Sequence, residues 1–120
     1  MVNFFTHRST KYDHTLTSNV VYSFNCKRDT NIQYIGCTKR LLCVRMKEHL
    51  QHTSPVGSHI MQCQECSDSN INDLFTVLKH VTSRGNRSLY AMEAIFIDKH
   101  KPILNKQLLN KFNDFHLIYI

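Results

Sequence analysis

The chain has little of what loosens or spans: three Gly and two Pro among 120 residues, and no apolar run near the about 20 residues that cross a bilayer. With 42% hydrophobic and 20% charged residues, that scarcity argues against disorder and for a globular domain. The first residues, MVNFFTHRSTKYDH, lack a signal peptide's basic start and long apolar middle, so an intracellular protein is expected. Acidic residues are also few, nine Asp and Glu against fifteen Lys and Arg. The resulting net charge of +6 and pI of about 9.2 favour a polyanionic partner. Five Cys is an odd number, which speaks against a disulfide framework and for reduced thiols or metal ligands. The length suits one domain.

Residues 1–18 are polar without a clean period and read as a lead-in arm; residues 19–120 form the domain. NVVYSFN at 19–25 alternates as a half-buried strand does, and a polar connection leads into a second strand, IQYIG at 32–36. From Thr38, read as an N-cap, TKRLLCVRMKEHLQH sets Leu42, Met46 and Leu50 on one helical face. Ser54, Pro55 and Gly57 break that helix, a shorter helical piece runs through SHIMQC, and SDSNIND is a polar loop. LFTVLKHV at 74–81 is a third strand. After the turn signal SRGN, SLYAMEAIFIDKH is a helix starting at Asn86 or Ser88 and ended by Pro102; the last apolar tract, PILNKQLLNKFNDFHLIYI, would cover the sheet. The fold class is α+β, a small three-stranded antiparallel sheet flanked by helices.

Polar groups stand where the helical pattern calls for apolar ones. Arg45, His49 and His52 border the Leu42 face, a position from which long polar side chains also reach water. Glu93 is centred on an apolar face between Leu89, Phe96, Tyr90 and Ile97. Burying an unpaired carboxylate costs several kcal/mol, so this Glu calls for a cation: a metal, an Arg or a Lys. Cys63 and Cys66 form Cys-x-x-Cys with His59 just upstream, a spacing that supplies two or three tetrahedral zinc ligands, with Cys26 available as a fourth. Reduced Cys are as often small buried apolar groups, the reading given to Cys37 and Cys43.

These segments resemble one family. Val20-Val21-Tyr22 stands where GIY-YIG nucleases carry their first tripeptide, and Tyr34-Ile35-Gly36 matches the second. Thr38, Arg40, Leu41, Arg45 and His49 resemble the family's arginine helix with its Arg-x-x-x-His pair. Glu93 lies where the family's metal-binding Glu is found, and Asn105 in KPILNK resembles the Asn that closes the motif set. Gly-Ile-Tyr is here Val-Val-Tyr, which keeps the tyrosine and the strand character and loses the glycine. VVYSFNC, YIGCTKRLLCVRMKEH and EAIFIDKHKPILN are most similar to the endonuclease domain of Penelope-like retroelements, where two Cys between the tripeptides and two downstream His form a zinc-finger-like pattern. Here Asp29 replaces the second Cys.

The resemblance implies a metal-dependent DNA endonuclease. Glu93 would hold Mg²⁺ or Mn²⁺, a hard cation suited to carboxylate and water. Arg45 would fork onto phosphate oxygens, and Tyr22, or else Tyr34, would take the proton of the attacking water. His49 would contact phosphate or relay that proton. Lys39, Arg40, His52 and Asn105 are assigned to substrate binding, Asn105 also to positioning backbone or Glu93, or capping a helix. Retroelement kinship implies a fused or associated reverse transcriptase or DNA-targeting domain, and nuclear residence in a eukaryote. Alternatives are a free-standing phage or viral nuclease, a DNA-binding module without cleavage, and a purely structural zinc protein.

Overall fold

Strand β1, Val20–Asn25, pairs antiparallel with β2, Gln33–Thr38, on one side and with β3, Phe75–His80, on the other, giving the order β2-β1-β3. The computed structural model describes residues 13–82 and 86–105; the start of the lead-in, most of the SRGN turn and the terminal tract from residue 106 expected to cover the sheet lie outside the described residues.

β1 is buried on both faces and not half-buried. Val20, Tyr22 and Phe24 point into one core, filled by Leu42 and Met46 of helix α1 (Leu42–His49), Val56 of α2 (Pro55–Gln62) and Cys66 of α3 (Gln64–Asp68). Val21 points to the opposite face, where with Ile35 it meets Leu89, Met92, Phe96 and Ile97 of α4 (Asn86–His100). Alternation along the strand therefore sorts side chains between two cores, and even Ser23 is buried. In the β1–β3 pairing, Val21 opposes Lys79 while Tyr22 opposes Val77, so Leu78 is bulged out beside Tyr22.

Several boundaries differ from the sequence reading. Thr38 is not an N-cap: it ends β2, where its Oγ1 accepts the Arg40 N–H at 3.1 Å, and α1 starts at Leu42 without a side-chain cap. The Leu42 N–H instead donates to the Thr17 carbonyl at 2.8 Å, because the lead-in forms a 3-10 turn at His14–Leu16 and packs on α1. Leu50, assigned to the apolar face, is the helix's C-cap and 46% exposed. Ser54 opens α2, accepting the Gly57 N–H at 2.9 Å and donating to the His49 carbonyl at 2.6 Å. Part of the expected SDSNIND loop is structured, Ser67 and Asp68 closing α3 and Ile71–Leu74 making a 3-10 turn. α4 ends as expected before Pro102, with Lys101 at φ 50°, a left-handed helix stop. No helix among the described residues is long and apolar enough to cross a membrane.

Candidate functional site

Gly36 lies opposite Tyr22 in the β1–β2 register. A Cβ there would sit 2.7 Å from the Tyr22 hydroxyl and 2.9 Å from the Tyr34 ring, so only glycine lets the two phenols lie over β2. From the last turn of α1, His49 comes down on both rings, its centroid 4.9 Å from that of Tyr34 and 5.7 Å from that of Tyr22. Its Nε2 is 2.6 Å from the Tyr22 hydroxyl, buried.

Burial, with Arg45 second, pushes the His49 pKa down to about 4, so the ring is neutral at pH 7. Burial raises the pKa of both tyrosines, against the pull of Arg45. A protonated Tyr22 therefore donates to the lone pair of Nε2, and the imidazole proton resides on Nδ1. Tyr22 is 0% exposed and Tyr34 6%, which makes Tyr34 the phenol nearer to solvent. His49 belongs to the core itself, 3% exposed, and does not merely border it.

The depressed His49 pKa links folding to acidity. Between its unfolded value of 6.5 and about 4, the unfolded chain binds the proton more readily, so stability is complete above the unfolded value and is lost as pH falls towards the folded one. A shift of this size corresponds to on the order of 3 kcal/mol. Thermal melts from pH 7 to pH 4 are expected to show a falling Tm that His49→Gln flattens; equal slopes in the two proteins would remove His49 as the cause.

Arg45 neighbours both phenols and donates from Nη1 to Glu48 Oε1 at 3.1 Å. Arg40, from the loop before α1, donates to the same oxygen at 2.7 Å. Across β2, Glu93 of α4 faces the thiol and backbone amide of Cys37. Burial raises the Glu93 pKa against the opposing pull of Cys37 and Arg45, and among the described residues the carboxylate has no ion-pair partner. It is half-buried on the face of α4 that turns Leu89, Phe96 and Ile97 to the sheet, as expected, although the fourth expected neighbour, Tyr90, is exposed. An open cleft of about 430 Å³ is lined by Cys37, Lys39, Arg40, Arg45 and Tyr90.

His52 and Asn105 stand apart from the cleft, and Asn105 takes the backbone-positioning role expected of it. His52 is exposed in the turn after α1, because the helix stops at His49 and the wheel no longer applies. Asn105 is committed to backbone: its Oδ1 accepts the Ile35 N–H at 2.7 Å and its Nδ2 donates to the Ile35 carbonyl at 2.8 Å, which closes the open edge of β2.

A second cluster lies on the Tyr22 side of the sheet. Cys26 at the end of β1, His59 on α2, and Cys63 and Cys66 at either side of the start of α3 bring their ligand atoms within 4.8 Å of one another. The Cys26 sulfur is 3.7 Å from those of Cys63 and Cys66. Zn–S bonds of about 2.3 Å in a tetrahedron give sulfur separations of about 3.8 Å. Backbone N–H groups of Asp29 and Lys27 point at the Cys26 and Cys66 sulfurs, each at 3.4 Å, and the buried His59 Nε2 has no hydrogen-bond partner among the described residues. This Cys₃His set could bind a metal ion. Asp29 is not a fourth ligand: its carboxylate accepts the Asn31 N–H, and Cys63 and Cys66 bring the second and third thiols from across the core.

Compared with known proteins, the chain matches no family model, no curated protein and no solved structure.

Two residues were not picked out for the site from the sequence: Cys37, which lines the cleft, and Glu48, which bonds two arginines that line it. Cys37, assigned to the core, is half-exposed in the cleft, and burial together with Glu93 pushes its thiol up to about 12, so it remains protonated. Glu48 could have been found as the acid one helical turn after Arg45.

Proposed function

We propose that this chain is a metal-dependent DNA endonuclease domain of GIY-YIG type that hydrolyses phosphodiester bonds. The supporting observation is the gathering of Tyr22, Tyr34, Arg45 and His49 into one contacting cluster, with Glu93 beside Cys37 on the neighbouring helix; Arg45 and Cys37 connect these groups to a cleft that Lys39 and Arg40 also line. Burying polar and charged groups costs free energy that their mutual hydrogen bonds offset, and a concentration of groups with perturbed pKa values is characteristic of functional sites.

Each has a task in hydrolysis. Arg45 offers a guanidinium fork to the phosphate where charge accumulates. His49 is neutral and already bonded to Tyr22, so it can receive the phenolic proton as that tyrosine takes one from water. Glu93, a half-buried carboxylate without an ion-pair partner among the described residues, suits a hydrated Mg²⁺ or Mn²⁺. When bound, that ion supplies positive charge for the departing 3′ oxygen. Zinc fits the Cys₃His cluster, since three thiolates and an imidazole are its usual closed set, and there it would fasten the β1–β2 hairpin to α2 and α3 without taking part in cleavage. The 3′ hydroxyl left behind would suit priming by a fused or associated reverse transcriptase of a mobile element.

A DNA-binding module without cleavage is the second reading, favoured by the complete burial of Tyr22. The two separate in a plasmid-nicking assay with Mg²⁺ or Mn²⁺, where the nuclease reading expects nicked circles and the module reading expects binding alone. In single-turnover reactions at matched Mg²⁺, Tyr22→Phe should lose about 10² to 10⁴-fold and Tyr34→Phe less, if Tyr22 works through His49. A larger loss in Tyr34→Phe reverses the roles, and losses below tenfold in both exclude a phenolic base.

A further inference from the structure

Two guanidiniums beside one another repel, yet Arg40 and Arg45 are held at the same edge of the cleft by one carboxylate oxygen, Glu48 Oε1, at 2.7 and 3.1 Å. Arg40 comes from an exposed loop and Arg45 from α1, so nothing in the backbone alone fixes their separation. The pair is partly solvated, with side-chain exposures of 58% for Arg40 and 39% for Glu48, and contributes little to stability. Its place is not random. To act on a phosphate Arg45 must present its fork while it also neighbours the two phenols, and Glu48 engages its Nη1.

The geometry points to Glu48 as a positioning residue that joins loop Arg40 to helix Arg45 in a two-arginine phosphate clamp. The inference rests on the nuclease reading for its catalytic consequence, though not for the clamp. Glu48 bears a negative charge beside the path of a polyanion, so a residue there that served only to bind DNA would be better neutral or basic. Removing it should therefore leave affinity for DNA unchanged or tighter and slow the chemical step, a split in kcat against KM that a merely stabilising ion pair would not give. Glu48→Gln keeps an oxygen that can accept from both arginines and should retain more activity than Glu48→Ala.

The test uses the full chain with a labelled DNA duplex. Single-turnover cleavage in Mg²⁺ and affinity in Ca²⁺ are measured for wild type, Glu48→Gln, Glu48→Ala, Arg40→Ala and the Glu48→Ala/Arg40→Ala double variant. The expected result is a loss of about 10 to 100-fold in the rate for Glu48→Ala, a smaller loss for Glu48→Gln, affinity equal or higher, and a double variant little worse than Glu48→Ala. A Glu48→Ala rate within twofold of wild type, or a loss confined to affinity, overturns the proposal. Should wild type bind the duplex without cutting it, the nuclease reading fails while the clamp is judged on affinity. It stands if Arg40→Ala weakens binding less once Glu48 is gone, and falls if the two effects add. A wild type with no measurable affinity for DNA overturns both.

Discussion

Glu93→Gln is expected to abolish Mg²⁺-dependent nicking, by about 10³-fold or more, while the protein folds and binds DNA as before. The substitution keeps the shape and removes the charge. In the native domain burial already raises the Glu93 pKa, and Cys37 and Arg45 only partly offset it. A divalent ion would supply the missing counter-charge, and the neutral amide has nothing to hold it with. Binding is measured in Ca²⁺ so that affinity and chemistry are read apart. Undiminished nicking by Glu93→Gln would take this carboxylate out of the reaction. Loss of binding together with cleavage would make it a structural group.

Removing zinc is the second large effect. Elemental analysis of the purified chain should find one zinc per molecule, and a zinc-selective chelator or Cys63→Ser should lower the Tm by more than about 10 °C. Structural zinc contributes about 10–16 kcal/mol in small zinc peptides, and in a domain of this size each kcal/mol moves the Tm by about 4–8 °C, so even a fraction of that contribution is visible. Cys63 is buried with Cys26 and Cys66, and without a metal these thiols leave His59 Nε2 unsatisfied in the core. Cys43→Ser is the control, being half-buried on α1 and outside the cluster; it should shift the Tm by a few degrees at most. A metal-free chain whose melting ignores the chelator would show the cluster to be packing only.

Periodicity was enough for the three strands, for α1 and for α4, because each presents a regular apolar face and α4 meets Pro102. It failed where hydropathy and burial part company. The wheel counted His49 as polar and Leu50 as core, yet His49 is buried since Tyr22 gives it a partner, while Leu50 lies at the helix stop. Thr38 looked like a cap because threonine serves in both caps and strands, and only the neighbouring strand decides between them. Cys26, His59, Cys63 and Cys66 were found by ligand type and spacing, features that survive without coordinates. Glu48 was not, because its importance depends on Arg40, a loop residue whose approach no local pattern encodes.

The contact between Thr17 and α1 has a mechanical consequence. Leu42 has no side-chain cap, so the first amide of the arginine helix is satisfied by a carbonyl from the lead-in, itself folded by Asp13, whose carboxylate accepts from both the N–H and the hydroxyl of Thr15. Shortening the chain to Asn19 would strip that amide of its acceptor and loosen the turn that carries Arg45. Residues 13–17 are therefore part of the support of this helix, and a chain starting at Asn19 is expected to melt at a lower temperature than the full chain in a thermal scan.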